Sequence, residues 1–445
     1  MGTLIPQPWP GNPAGYTPRA RRSGSFDAYV PDPLTELDLH LPAALADAVT
    51  DVTRQLDALN TGQSGLAQLE PLARFLLRAE AVASSWMEGL TIGARRLARA
   101  EAAASADFEI NDDTAQAVLG NIYAIEEALA VARDTSRPVT VEDLCAIHAA
   151  VLGRTQDAKW GGLLRTDQNW IGGTSPLDAE FVPPPAEWVE PLMTDLADYL
   201  TSSEHPALVQ AAVAHVQFET IHPFADGNGR AGRAVIQLVL RRRGVAPTVV
   251  PPVSLVLATR ARDYISALVD VRETDGSVQG LLDWVDFFVD ATGRACRDTR
   301  DFTTVLTSWD AQIRQRAGRL RAGSAAAAIV DALPALPVFT AGTMSQYLTR
   351  PPQKVNEAIA RLADAGVIRQ VNVGRRRNRA FEAVDLFDRF TDFERGLAID
   401  EERGGRPSRP TPGRNARRTA LESMVREAEA DDLYGKTYRP PPETR

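Results

Sequence analysis

The sequence has few of the residues that build disulfide frameworks and zinc sites. Its 445 residues include two cysteines, Cys145 and Cys296, and five histidines. These counts exclude the dense bridging of a small secreted domain and argue against a zinc cluster. We expect both thiols to be small apolar side chains in a reducing compartment.

Long apolar runs are also missing. No stretch approaches the ~18 apolar residues that a membrane helix needs. The start, MGTLIPQPWPGNPAGY, lacks the basic residues and apolar run of a signal peptide. We therefore expect a cytoplasmic protein with no membrane contact. The net charge of −9 argues against a chain coated in nucleic acid, although a local basic patch stays open.

The length of 445 residues predicts about three domains of the usual size. Apolar residues make up 44% and charged residues 24%, which are ordinary globular values. Apolar positions recur at three- and four-residue spacing, and this predicts a mostly α-helical fold. We expect an extended arm, two helical regions, a small C-terminal domain and a flexible tail, at residues 1–40, 41–114, 115–299, 321–390 and 400–445.

The C-terminal domain has the pattern of a winged helix-turn-helix. Three short helical patterns precede VIRQVNVGRRRNRAFEA, which alternates like two strands around a basic turn. From Arg321 to Ala380, nine basic residues face three acidic ones. The expected wing tip carries four arginines, Arg375, Arg376, Arg377 and Arg379. Such a tip suits a DNA backbone, and a protein-docking or dimer module remains the alternative.

The segment IHPFADGNGRAGR concentrates polar groups between two apolar helices. Gly227, Asn228 and Gly229 can alternate left- and right-handed backbone, which points successive N–H groups at an anion. The helix that follows directs its positive N-terminus at the same place. Arg230 and Arg233 lie on one face of its first turn. These features together suit a polyphosphate.

Two further groups in this segment suit catalysis. Asp226 is a hard oxygen ligand for a Mg²⁺ ion that bridges phosphates. His222 is the nearby group that titrates around neutral pH, so it is the natural base for a hydroxyl nucleophile. The alternative is a capped turn between helices, with the histidine bonded to backbone and the arginines solvated.

HPFADGNGR, followed by Arg233, resembles the signature HPFx[D/E]GNGRxxR of the Fic (Fido) family at every position. The resemblance implies a helical core at 115–299 that transfers AMP from ATP to a Ser, Thr or Tyr hydroxyl. It makes His222 the base and Asp226 the Mg²⁺ ligand. It places the 227–229 backbone, Arg230 and Arg233 on the phosphates, and Phe224 in the core as an anchor. Gly229 stands where the related Doc kinases have Lys, which favours AMP transfer over phosphate transfer.

Other segments extend the resemblance to about residues 40–390. NWIGGTSPLDAEFVPPP suits a short β-hairpin, and it resembles the flap that clamps a target segment by strand pairing. The flap residues would be Trp170, Ile171, Gly172 and Gly173. Asn169 departs from the apolar residue usual before the Trp. Tyr264 could contact adenine, and a core position is the alternative.

Ser84 and Glu88 fit the family's inhibitory pattern [S/T]xxxE[G/N]. Glu88 falls in the last turn of an expected helix before Gly89, where the macrodipole disfavours a carboxylate. A carboxylate at this position is stabilised by a cation from elsewhere in the chain, and the resemblance implies that this cation is Arg233. In this interpretation residues 41–114 are a regulatory region, and Glu88 occupies the arginine that would hold the γ-phosphate.

The leading hypothesis is an autoinhibited, Mg²⁺-dependent protein adenylyltransferase that uses ATP, modifies a target protein and itself, and can also remove AMP. A homodimer is left open. The alternative is a transcription regulator whose Fic core senses ATP while the winged helix binds DNA. Transfer of phosphate or of another nucleotide is a third hypothesis.

Overall fold

The computed structural model describes residues 2–11, 21–61, 69–272, 278–373 and 379–392. Helices dominate, and the strands form one two-stranded and one three-stranded antiparallel sheet. This confirms the mostly α-helical class. Among the helices within these ranges, none is both long and apolar enough to cross a membrane.

The expected extended arm at 1–40 contains a pair of strands. β1 (Gly2–Trp9) and β2 (Gly24–Pro31) pair antiparallel along their whole length. The arm has no helical period. At the start of β2 the buried Phe26 and Ala28 flank the exposed Asp27, which is a period of two, and residues 28–31 are then all buried. The segment is therefore part of the folded structure.

Three helices follow in the N-terminal helical region. They are α1 (Ala43–Asn60), α2 (Leu69–Trp86) and α3 (Ala94–Ala104). α1 buries a stripe at helical spacing from Leu45 to Leu59 against the main core. α2 ends two residues before Glu88, and Gly89 then takes a left-handed backbone with φ 78°.

The centre of the molecule is a bundle of five helices. They are α4 (Asp113–Arg133), α5 (Val141–Leu152), α6 (Ala186–Thr201), α7 (Ala207–Ile221) and α8 (Asn228–Arg242). Every residue of α7 is buried, and α7 and α8 pack against each other on either side of the motif loop. The expected boundary at 114/115 falls inside the first turn of α4, whose N-terminus Asp112 caps.

A long helix joins the two cores. After α9 (Val253–Thr259) and α10 (Ala261–Val271), α11 runs from Gln279 to Ala317 without a proline. It therefore continues through the boundary expected at 299 and ends at Gly318. Its first half packs in the main core and its second half in the C-terminal core.

The C-terminal domain contains both helices and short strands. They are α12 (Ala325–Ala332), β3 (Val338–Phe339), α13 (Ala341–Leu348), α14 (Pro352–Asp364), β4 (Ile368–Asn372) and β5 (Arg379–Ala383). The sheet order is β3-β5-β4, antiparallel throughout. Phe75 of α2 stacks on Phe302 of α11 and meets Phe390 edge-on, so α2 belongs to this core as well.

Candidate active site

His222 lies at the junction between α7 and the motif loop. Its backbone is left-handed, with φ 48°, which is uncommon for a residue with a side chain. Burial lowers the pKa of the imidazole to about 3, and the nearby cations Arg165 and Arg272 act in the same direction. His222 is therefore neutral at physiological pH. Within the described residues, its Nδ1 has no hydrogen-bond partner.

Two side chains hold the backbone of His222 in this conformation. The buried Arg165 donates to the carbonyl oxygens of His222 (2.9 Å), Ile221 (3.2 Å) and Pro184 (2.6 Å). Asn169 donates to the carbonyl oxygen of His222 from 3.2 Å. The polar residue that departs from the flap pattern thus fastens the flap to the motif loop. Neither role was predicted from the sequence.

His148 of α5 supports the loop from beneath. Its Nδ1 accepts the Gly162 N–H at 3.0 Å, so Nε2 carries the proton and donates to the Asp226 carbonyl at 2.7 Å. Its ring stacks on Phe224 with centroids 3.7 Å apart. Burial lowers the pKa of this histidine to about 4, which keeps it neutral. Sequence reasoning missed His148 because it lies far from the motif along the chain.

The expected alternating backbone is limited to Gly227, whose φ is 77°. Asn228 and Gly229 already belong to α8, so the donors at this end are those of a helix N-terminus. The buried Asn228 side chain spans the loop, accepting from the Phe224 N–H at 2.9 Å and donating to its carbonyl at 2.8 Å. Its side chain therefore shapes the loop.

Arg230 and Asp226 face each other across one helical turn. Arg230 is 5% exposed, and its Nη2 lies 3.7 Å from Oδ2 of Asp226. Its Nε has no partner among the described residues. The Asp226 side chain is 47% exposed and accepts the Gly227 N–H at 2.6 Å. A half-exposed carboxylate beside helix N–H groups and a buried arginine fits a Mg²⁺ ion that arrives with a polyphosphate. In the described part of the chain, no cluster of three or more acidic, His or Cys side chains could hold a metal alone.

Arg233 is hydrogen-bonded to two residues at the end of α2 and just after it, Ser84 and Glu88. Its Nη2 donates to Oε1 of Glu88 at 2.6 Å and to the Ser84 carbonyl at 2.8 Å, and its Nε donates to Oγ of Ser84 at 2.8 Å. Arg233 is 3% exposed. Burial alone would lower the pKa of Arg233, but Glu88, Tyr264 and Glu219 together outweigh this, and the net shift is upward. A Cβ on Gly229 would clash with Oε1 of Glu88, so a larger residue there would require the Glu88 side chain to shift.

A second set of titratable groups lies behind Arg233. Burial raises the pKa of Glu219 and of Glu80 to about 7, against the partly compensating charge of Arg233. Tyr264 is 5% exposed and its hydroxyl pairs with Nε2 of His215 at 2.9 Å. Tyr264 therefore occupies the core position that the sequence left as the alternative, and its adenine contact stays a prediction.

The flap has less strand pairing than the hairpin expected from the sequence. One antiparallel bridge joins Ile171 to Phe181, with N–H to O distances of 2.8 and 3.2 Å. Gly172 and Gly173 then turn the chain in left-handed conformations, with φ of 70° and 69°. Trp170 precedes the bridge and its ring meets Trp9 of β1.

The basic residues of the C-terminal domain are largely paired. Lys354 lies 3.0 Å from Glu357, and Arg361 donates to the carbonyls of Ala317 and Arg319 at the end of α11. Arg379 is exposed at the start of β5. The other wing arginines, Arg375, Arg376 and Arg377, lie outside the described residues.

Comparison with known proteins agrees with this site. Residues 138–240 match the model of the Fic/DOC family, and residues 46–130 match the model of the Fic/DOC family N-terminal region. Both stretches are thus similar to the Fic/DOC family, and the motif loop with His222 and Arg233 lies inside the first of them.

Curated relatives match the same part of the chain. Protein adenylyltransferase fic-1 of Caenorhabditis briggsae is 33% identical over 131 residues, which are 29% of this chain and 23% of that protein. Protein adenylyltransferase Fic of Nematostella vectensis is 31% identical over 137 residues, 29% of this chain and 30% of that protein. The matched stretches thus span less than a third of these relatives.

Among solved structures, a Fic family protein from Desulfovibrio desulfuricans G20 is similar at 22% identity and a TM-score of 0.48. That similarity covers 78% of this chain and 97% of the other.

Proposed function

We propose that this chain transfers AMP from ATP to a hydroxyl of a protein, and that Glu88 restrains the reaction. The observation that carries the proposal is one loop that joins a neutral imidazole, a helix N-terminus and two buried arginines. A base, a phosphate cradle and two cations are the parts that nucleotidyl transfer to a hydroxyl requires. The naming of the curated relatives supports the same reaction.

His222 acts as the general base in this proposal. Its neutral imidazole takes the proton of the acceptor hydroxyl while that oxygen bonds to the α-phosphorus of ATP. The bond from the α-phosphorus to the bridging oxygen breaks, and pyrophosphate leaves. Arg165 and Asn169 fix the backbone of His222, so the ring is held in place before the substrate arrives.

The phosphates bind at the N-terminus of α8. Helix N–H groups and Arg230 offset their negative charge, and Arg233 serves the terminal phosphate when it is free. Asp226 would hold Mg²⁺, which supplies charge neutralisation on the phosphates. The half-exposed carboxylate of Asp226 suits this role because it can bind a cation without first being uncovered.

Glu88 is the restraint. While the Glu88 carboxylate is paired with Arg233, the terminal phosphate of ATP lacks that cation. The reactive pose of the nucleotide is then not stabilised. Glu88 sits after the end of α2, so a small movement of this segment would free the arginine without disturbing α8. The same glutamate could then assist removal of AMP.

The acceptor is proposed to be an extended protein segment held at the flap, including a segment of a second copy of this chain. A cytoplasmic location and a homodimer remain predictions. We also interpret α12–β3–α13–α14–β4–β5 as a winged helix. Its helix α14 carries Lys354 and Arg361 in pairings of their own, which favours protein docking over DNA binding.

The deciding experiment compares ATP labelled at the α- or γ-phosphate, using the Glu88→Gly chain with Mg²⁺. Adenylyl transfer predicts protein-bound label from the α-position alone, and phosphoryl transfer predicts it from the γ-position alone. Adding His222→Ala should reduce the rate roughly 10²–10⁴-fold while ATP still binds. His40→Ala is the matched control, because that side chain is 88% exposed and far from this loop in sequence. No label from either position would refute the proposal.

A further inference from the structure

The N-terminal hairpin packs directly on the flap. The rings of Trp9 and Trp170 meet edge to face, with centroids 5.7 Å apart and planes at 75°. Phe26 and Ala28 of β2 share a small buried cluster with Val182, just after the flap bridge. The hairpin therefore covers the flap with apolar side chains from both of its strands.

Backbone pairing makes the contact more than a stacking of side chains. The N–H of Tyr29 donates to the carbonyl of Val182 at 2.9 Å, so β2 lies against the returning strand of the flap. The ring of Tyr29 also meets the ring of Phe181, with centroids 6.0 Å apart. β1, β2 and the two flap segments thus form one continuous surface, joined by the β1–β2 ladder, the Tyr29–Val182 hydrogen bond and the Ile171–Phe181 bridge.

The opposite side of the flap is anchored to the motif loop. The Arg272 guanidinium lies 3.9 Å from the centroid of the Phe181 ring, and it also donates to Oγ1 of Thr220 at 3.3 Å. Thr220 is two residues before His222. Phe181 is therefore held between the hairpin and the element that carries the base.

The edges of this surface differ in their capacity to pair. β1 forms one edge, and Pro6 and Pro8 remove two amide donors from it. At the other edge, Ile171 directs both its backbone groups to Phe181. Within the described residues, the adjacent Trp170 makes no hydrogen bond from its backbone to another backbone group. The edge open for an incoming strand is thus the one next to Trp170.

We infer that the hairpin is a structural extension of the flap that sets the position of the open edge relative to His222. Trp9 is the positioning residue, because it contacts the open-edge residue Trp170 directly. The hairpin then determines where an extended acceptor segment lies and which hydroxyl reaches the imidazole. This inference rests on the proposed function, whereas the mechanical coupling of hairpin and flap can be measured independently.

The test uses the full chain with Glu88→Gly as enzyme and the His222→Ala chain as a defined acceptor protein. Trp9→Ala should raise the KM for the acceptor about 2- to 10-fold, because the interaction free energy of an edge-to-face aromatic pair corresponds to a factor of this size in affinity. The KM for ATP should change less than about 2-fold. Trp9→Phe should restore most of the loss. Leu4→Ala is the matched control, because Leu4 lies on the same strand and is 50% exposed.

Hydrogen exchange provides the second readout. In the Trp9→Ala chain, the Ile171 and Phe181 amides should exchange about 2- to 10-fold faster, while the amides of α7 and α8 keep their protection. Unchanged exchange at the flap, or equal changes in the KM for ATP and for acceptor, would overturn the inference. If the Glu88→Gly chain transfers no label at all, the proposed function fails, but flap exchange still decides whether the hairpin positions the flap.

Discussion

Nη2 of Arg233 lies 2.6 Å from Oε1 of Glu88, although 145 residues separate them in sequence. The arginine is 3% exposed and the glutamate side chain 20% exposed. A charge-assisted hydrogen bond so shielded from water is strong, and losing it would leave the buried cation with only the uncharged oxygens of Ser84. A phosphate of ATP is another anion that can pair with Arg233. The ion pair is therefore suited to competition with a phosphate.

Replacing Glu88 with Gly should raise AMP transfer, measured as self-modification from α-labelled ATP. Such a pair contributes roughly 1.5–3 kcal/mol, which corresponds to about 10- to 150-fold in rate if it gates the productive pose. Adding Arg233→Ala should extinguish the gain, because the terminal phosphate then has no arginine to recover. Glu88→Gln, which keeps an acceptor but loses the charge, should give an intermediate rate. Equal rates for wild type and Glu88→Gly at saturating ATP would mean that the glutamate does not regulate.

The pH dependence of the rate should lack the usual histidine inflection. The pKa of His222 is lowered to about 3, so its imidazole is already neutral throughout the range from about pH 5 to pH 8. In the Glu88→Gly chain, kcat/KM for ATP should therefore show no loss near pH 6.5 from protonation of the base. A clear inflection near pH 6.5 that disappears in His222→Ala would show that the base ionises as an ordinary histidine.

Asp226 should control the response to Mg²⁺. Asp226→Ala should raise the Mg²⁺ concentration needed for half-maximal ATP binding by about tenfold or more, since it removes the charged oxygen ligand. The measurement is a Mg²⁺ titration of ATP binding, which does not depend on turnover. Asp38→Ala serves as control, because that side chain is 85% exposed. An unchanged Mg²⁺ titration in Asp226→Ala would remove Asp226 from the metal site.

Glu80 should make the protein less stable as the pH rises. Burial raises its pKa to about 7 from an ordinary 4.5, despite the hydrogen bonds from Ser254. Below pH 4.5 the carboxyl is protonated in the folded and the unfolded state, and no difference arises. Between there and about pH 7 the unfolded chain ionises first, so the free energy of unfolding falls, by about 3 kcal/mol in total.

Urea unfolding at about pH 5 and about pH 8 measures this loss. Glu80→Gln should remove much of the difference between the two pH values, because the amide cannot ionise. Glu70→Gln on the same helix is exposed and should leave the difference in place. If Glu80→Gln and wild type lose the same free energy over this range, the carboxyl is ionised in the folded state.

Local sequence determined what could be predicted about the site. Residues 222–233 form a short loop and the first turns of α8, so their spacing alone placed the base, the carboxylate and the arginines together. His148 and Arg165 were missed because each donates to backbone carbonyls of the loop. Every residue has a backbone carbonyl, so the side chains of the loop do not indicate these contacts. The pairing of Glu88 with Arg233 came from resemblance, since no periodicity joins residues so distant.

The fold was predictable where a period was strong. The helices of the main core followed their apolar spacing, and a capping box at Thr140 starts α5. The hairpin at 2–31 was missed because Pro and Gly masked a period of two that spans few residues. The boundary expected at 299 falls within α11, because a helix that changes packing partners halfway keeps its period.

The last prediction concerns DNA. Binding at low salt would be electrostatic, and replacing Arg375, Arg376 and Arg377 with Ala should weaken it. It should also flatten the slope of log affinity against log salt by about one unit per lost phosphate contact. Lys354→Ala is the matched control, because Lys354 already pairs with Glu357 at 3.0 Å and should change the slope little. A wild-type chain with no affinity for duplex DNA at low salt would leave protein docking as the role of this domain.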